Sequence, residues 1–220
     1  MRSAATLSWV LGQITIMMHT YERNVLCYTL RTMKYGFAPV INRESRLLIL
    51  GSLPGDESIR QQRYYAHPKN QFWPILASVF GEPIHSNYDD RIRFLKRNGV
   101  ALWDVLLEAE RPGSLDSAIR KEVVNDFQFL FRTYPNLQKI LFNGQKAESL
   151  FRRYVIRQNP HLHEELEMIG LPSSSPTPGR GVLSFERKIE KWKNAIERLT
   201  PSRSAPHRKM DGACTVDGTH

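Results

Sequence analysis

The chain has 220 residues, 41% hydrophobic and 24% charged, with a formal net charge of +9. That length suits one domain with a full core and is too short for two large ones, and the balance is that of a soluble globular chain. Its two cysteines, Cys27 and Cys214, exclude a disulfide scaffold and a cysteine-held metal or iron–sulfur site, and they fit a reducing, cytoplasmic setting.

The charge is spread along the chain. Residues 1–40 carry +3 and residues 201–220 carry +1, leaving +5 on the body between them. A basic body is either a solvated Lys/Arg surface or the footprint of a polyanionic partner, nucleic acid first. The opening "SAATLSWVLGQITIMMHTYERNVL" is apolar but broken by Gln13 and His19, short of the ~20 clean residues of a membrane span. Arg2 precedes an apolar run, yet no small-residue cleavage site comes after it. Met17, Met18 and Met33 offer alternative starts. Residues 1–34 therefore read as an extension, 35–200 as the domain, and 201–220, rich in turn formers without apolar periodicity, as a disordered tail.

Within the domain the first apolar run, Arg46–Leu50, reads as a strand and stops in "GSLPG". "DESIRQQ" predicts a short helix capped by Asp56, and "AHPKNQFWPIL" leads into another. "DDRIRFLKRNG" starts acidic and stops at Gly, as a helix does. A second strand is expected at Ala101–Leu106, then a helix over "VVNDFQFLFRTYP" with Val124, Phe127, Leu130 and Phe131 on one face. Leu137–Phe142 and Leu166–Leu171 read as further strands, separated by the helical "GQKAESLFRRYVIR". The last helix, "SFERKIEKWKNAIERL", puts Phe185, Ile189, Trp192 and Ile196 on one stripe, a core pattern rather than a cofactor site. Alternation of this kind predicts an α/β fold with a four-stranded, mostly parallel sheet between helical layers.

In such sheets ligands sit beyond the carboxyl ends of the strands. The four predicted strands run into "GSLPG", the "WD" of "ALWDVL", "NGQKA" and "PSSSP". One rim would gather these four unusual stretches. The first lacks the Lys-Ser or Lys-Thr of a nucleotide-binding loop, so a phosphate cradle is not indicated. Further along the chain, "YYAHPKNQFW" offers rings and amides to a flat polar ligand. Taken singly, His67 fits a structural role better than a catalytic one, Asn70 could be only a helix cap, and "LPSSSP" could be only a surface loop.

Together, "LILGSLPGDESIRQQRYYAHPKNQFWPIL", "ALWDVL", "ILFNGQKA" and "LPSSSPTP" closely resemble the uracil-DNA glycosylase superfamily, in its hypoxanthine-DNA (deoxyinosine) glycosylase branch. The resemblance spans residues 35–199. It implies a three-layer fold and an enzyme that flips a deaminated base out of DNA and hydrolyses its N-glycosidic bond. It implies Asn70 as the residue holding the attacking water and Asn143 as the base-contacting amide, with both counted as catalytic. Gly51 and Ser52 of the first turn and Phe72, as stacking platform, complete the expected base site. His67, Ser173, Ser174, Ser175 and Arg180 are expected to meet the DNA, the serines by donating to phosphates. Where other branches carry an acid or Asn in the first turn, this chain has Ser52 and Leu53, which weakens the expectation of fast uracil removal. Asp104 and Trp103 are left open between structural and catalytic roles.

A monomer acting on DNA with deaminated bases, without cofactor, metal or membrane, is the resulting expectation. A metal-dependent hydrolase lacks ligands near His67, and "HLH" at 161–163 falls away from the rim. Two alternatives remain: a uracil- or mismatch-specific glycosylase, and a non-catalytic nucleic-acid-binding module. Two amides on one rim favour an enzyme over a binder.

Overall fold

A computed structural model describes residues 32–83, 86–176 and 182–197. The expectations for residues 1–31, for the tail and for Arg180 lie outside the described residues. The main sheet has four parallel strands, β2 (Leu47–Gly51), β3 (Val100–Asp104), β6 (Lys139–Asn143) and β7 (Glu167–Leu171), in the spatial order β3-β2-β6-β7. Both of its faces are covered. Leu48, Leu50, Ala101, Trp103, Ile140 and Phe142 point into one core; Leu47, Ile49, Val100, Leu102 and Leu141 point into the other. This two-sided burial explains why the strands read as unbroken apolar runs.

Helices α4 (Phe127–Thr133) and α5 (Gln145–Phe151) supply Phe127, Leu130 and Phe151 to the first core. Helices α2 (Phe72–Phe80), α3 (Tyr88–Arg97) and α7 (Phe185–Glu197) supply Phe72, Leu95 and Trp192 to the second. Two shorter helices, α1 (Asp56–Gln61) and α6 (Leu162–Glu165), complete the layers. The expected three-layer α/β architecture is present.

Four local expectations are corrected. The predicted strand Ala101–Leu106 divides at Val105: β3 ends at Asp104, and β4 (Leu106–Glu110) turns away. β4 then pairs antiparallel with β1 (Met33–Tyr35) on one side and β5 (Arg120–Val124) on the other. Val124 is therefore a strand residue, and α4 starts after it, capped by Asp126, whose carboxylate accepts the Phe129 N–H. Asp56 does not cap α1 either. The cap position is Gly55, and Asp56 instead takes a hydrogen bond from Ser114 Oγ at 2.9 Å and an ion pair from Lys34. Lastly, Thr32 and Lys34 are buried and β1 starts at Met33, so a domain boundary after residue 34 cuts through an ordered strand.

Candidate active site

The carboxyl ends of all four parallel strands, at Gly51, Asp104, Asn143 and Leu171, open into one cleft of about 920 Å³. The four rim stretches expected from the sequence do meet there.

The first turn is held from behind. Arg111, 1% exposed, donates to the carbonyls of Leu53, at 3.2 Å, and Pro54. Ser52 Oγ donates to Asp116 Oδ1 at 2.7 Å, so the hydroxyl expected to meet the base has an intramolecular partner. Gly51 is there for space. A Cβ at this position would lie 2.4 Å from Asp104 Oδ1 and 3.0 Å from the Tyr65 hydroxyl, and only glycine permits that approach.

The stacking platform expected at Phe72 is not available there. Phe72 is 0% exposed, edge-on to Trp73 and Trp192, and its ring stacks on Tyr65 at 3.9 Å between centroids and 20° between planes. The half-buried Tyr65, not Phe72, lines the cleft. Its φ of 52° is a left-handed conformation that a bulky residue rarely adopts. Burial first, then the charge of Asp104, push the Tyr65 phenol up, so it stays a neutral hydroxyl. The sequence carried a usable signal: Phe72, Ile75 and Leu76 share the helical core phase, which assigns Phe72 inward.

His67 and Asn70 both line the cleft. His67 is exposed, and its Nδ1 accepts the Lys69 N–H at 3.2 Å. Asn70 Oδ1 accepts the Phe72 N–H at 2.9 Å, although the N-cap position of α2 is Gln71, so Asn70 braces the helix entry from one residue before the cap. The second lone pair of that carbonyl and the side-chain NH2 face no hydrogen-bonding partner among the described residues.

Asn143, at the end of β6, is tied to the loop after β7. Its Nδ2 donates to Ser174 Oγ at 2.9 Å, and its Oδ1 accepts the Ser174 N–H at 2.8 Å. Gln71 N–H donates to the Ser174 carbonyl at 2.9 Å, and Trp192 Nε1 donates to the Pro172 carbonyl at 3.2 Å. Ser174 is consequently 0% exposed, and its hydroxyl, expected to donate to a phosphate, instead accepts from Asn143. Ser173 is exposed and Ser175 half-buried, with Ser173 Oγ accepting the Ser175 N–H at 3.1 Å. Lys188, which the sequence reading passed over, reaches from α7 to Gln71 Oε1 at 2.8 Å; desolvation lowers its ammonium pKa.

Trp103 proves structural: its Nε1 donates to the Phe37 carbonyl at 2.9 Å, and its ring packs on Phe127. Asp104 lines the cleft. Burial pushes its carboxyl up to about 7, with Arg111 pulling it down and Asp116 adding to the rise.

A parallel α/β sheet whose carboxyl-end cleft combines a supported ring, amides and a buried carboxyl is built to take a flat, hydrogen-bonding ring. The family model of the uracil DNA glycosylase superfamily matches residues 38–202, and the chain belongs to that superfamily. A hypoxanthine DNA glycosylase of Methanosarcina barkeri is 50% identical over 115 residues, covering 52% of this chain and 73% of the relative. A protein of the same description from Methanosarcina acetivorans is 45% identical over 116 residues, with the same coverage. The solution NMR structure of a proposed uracil DNA glycosylase from Methanosarcina acetivorans superposes with a TM-score of 0.62 at 38% identity, covering 75% of this chain and 99% of that one.

Proposed function

We propose that this chain is a DNA glycosylase that flips hypoxanthine out of deoxyinosine-containing DNA and hydrolyses its N-glycosidic bond. The observation that carries the reading is the cleft itself: Tyr65, Asn70, Asp104 and Asn143 line one cavity at the strand ends, in a chain half identical over the matched region to a hypoxanthine DNA glycosylase.

The outer face of Tyr65, backed by Phe72, takes the flipped base; such stacking contributes roughly 1–3 kcal/mol per base. The NH2 of Asn70 remains as a donor to a base edge on which negative charge develops as the bond breaks, while the Asn143 amide is held by Ser174 beside the Tyr65 hydroxyl. The water needs orientation more than deprotonation, because the departing base leaves an oxocarbenium-like sugar. Asn70 Oδ1 has one lone pair for it. Ser173, Ser175, His67 and Lys191 stand at the cleft to meet the phosphates of a DNA strand, with the domain's positive charge behind them. Both amides also serve the fold, so the reading against a pure binding module rests on the cleft and the relatives rather than on the amide pair alone.

Among the described residues no helix is long and apolar enough to cross a membrane. The domain, from Thr32 to the end of the matched region, works as a monomer, which sedimentation at assay concentration checks.

The test is strand cleavage after alkali of oligonucleotides carrying deoxyinosine, deoxyuridine or deoxyxanthosine, single- and double-stranded, in chelator. Free hypoxanthine and an abasic product are expected. Preferred release of uracil would move the assignment to the alternative that the NMR relative's description favours. No abasic product from any lesion would refute the enzyme reading.

A further inference from the structure

Among the described residues, Asp104 Oδ2 and Arg111 Nε are buried side-chain polar atoms with no hydrogen-bond partner, and the Tyr65 hydroxyl has only the Asn143 amide beside it. All three residues line the cleft. Buried polar groups are nearly always paired, and unpaired ones gathered at one place point to a ligand that completes them. Arg111 has other work, holding the carbonyls of the first turn. Tyr65 offers its ring. Asp104 has no structural duty for its side chain; only its backbone carbonyl is used, by Asn125 Nδ2 at 2.9 Å.

Its position is also specific. Asp104 ends β3 beside Gly51 at the end of β2, in register, and both its carboxyl and the Tyr65 hydroxyl border the space that a Cβ on Gly51 would fill. We propose that Asp104 is the catalytic acid of this site, a protonated carboxyl on the cleft floor that passes its proton to a ring nitrogen of the departing purine. This rests on the glycosylase reading above and adds a proton donor to it.

The step balances without a further reactant. The C1′–N9 bond breaks with its electron pair going to the purine, which accepts the carboxyl proton at a ring nitrogen. Water adds its oxygen to C1′ and releases a proton, which restores the acid. The products are neutral hypoxanthine and an abasic sugar.

The groups facing Asp104 decide whether it holds a proton at working pH. Arg111 favours the carboxylate and Asp116 the acid, while Tyr65, Tyr64 and Tyr88 feel the charge but stay neutral. Burial outweighs them, and the carboxyl titrates at about 7, where a general acid is most useful.

The experiment is single-turnover release of hypoxanthine from deoxyinosine DNA by the full chain, from about pH 5.5 to about pH 8, below the range where deoxyinosine itself ionises. The wild-type rate is expected to be flat on the acid side and to fall, toward tenfold per pH unit, above about 7. Asp104→Asn should lose that falling limb and react about 100-fold more slowly at the acid end, with DNA binding retained and a cooperative melt showing that it folds. Gly51→Ala, which forces the carboxyl to move, is the second variant and should displace the limb. A wild-type rate that rises through pH 7 would mean a working carboxylate and overturn the proposal. So would an Asp104→Asn or Gly51→Ala variant with the wild-type profile. A chain that cleaves no lesion at any pH overturns the glycosylase reading too, whereas cleavage without the acid limb overturns Asp104 alone.

Discussion

The titration of Asp104 should be visible in stability, independently of catalysis. Burial raises its carboxyl from the ordinary 3.8 to about 7, so the folded state binds the proton more tightly than the unfolded chain. The associated stability is complete below the unfolded carboxyl's pKa and is lost as pH rises through about 7. Integrated between about pH 5 and about pH 8, a shift of this size removes about 2–3 kcal/mol. An amide of the same shape does not titrate, so the Asp104→Asn variant should not share that loss. The carboxylates held low by partners, Asp56 beside Lys34 and Glu57 beside Arg60, lie on other elements. They contribute equally to both proteins and drop out of the difference. Urea denaturation at several pH values gives midpoints and slopes for each. Relative to wild type, the variant should gain steadily in stability from about pH 5 to about pH 8, with unchanged slopes. A difference that is constant with pH, or one that grows toward acid, would refute the placement of Asp104 as a buried, unpartnered acid.

Asn70→Ala should reduce single-turnover cleavage by about two orders of magnitude while leaving DNA affinity within a few-fold, since water orientation matters mainly in the transition state; Asn70→Ser, whose hydroxyl can still accept the Phe72 N–H, separates the roughly 1 kcal/mol cost of that hydrogen bond from catalysis, and wild-type turnover in either variant would make Asn70 a structural residue only. Asn143→Ala strips Ser174 of two hydrogen bonds, so it should lower stability by about 1–3 kcal/mol as well as activity; unchanged melting would contradict the tie. Phe72→Ala should cost about 3–5 kcal/mol, read by denaturation, whereas Tyr65→Ala should be milder in stability and weaken binding of the flipped base. Removing residues 1–31 and 201–220, but not Thr32–Lys34, should keep cleavage and most of the salt dependence of binding; a hundredfold loss would show that an end completes the site.

Much of the architecture was legible because parallel strands buried on both faces announce themselves as apolar runs. The antiparallel sheet was not. "ALWDVL" is apolar apart from its Asp, so nothing in it marks the departure of the chain at Val105, where neither Gly nor Pro intervenes. β5 reads "RKEVV" and is largely exposed, which denies it the pattern of a half-buried strand. The rim itself was legible from topology, since each strand end could be placed before any side chain was. Side-chain direction was harder. "YYAHPKNQFW" offers five rings within ten residues, counting His67, and the choice between Tyr65 and Phe72 depends on helix phase and on the left-handed backbone at Tyr65. The partners of the polar groups were out of reach altogether. That Ser174 would satisfy Asn143 depends on the register of β6 against β7, in which Asn143 stands opposite Leu171.

That register has a consequence for how the site is held. Ser174 receives or gives hydrogen bonds to Asn143 from β6 and to the backbone of Gln71 at the start of α2, while Trp192 of α7 fixes Pro172. Stretches separated by more than a hundred residues thus lock one loop whose outer serines, Ser173 and Ser175, line the cleft. A loop ordered in this way loses little further entropy when a ligand arrives, so more of the binding energy it provides is left for other work. The opposite wall is built on a different principle. There Arg111 fixes the turn, but Asp104 Oδ2 is left unpaired in a buried place, at a cost to folding that a purely structural pocket would have removed by substitution. One wall is satisfied through Asn143, Gln71 and Trp192; the other keeps a buried carboxyl oxygen with no partner of its own. Exchanging the two treatments would give a loop that must be ordered at each encounter and a floor with no free polar group, so on the proposed reading each treatment sits where it serves the reaction.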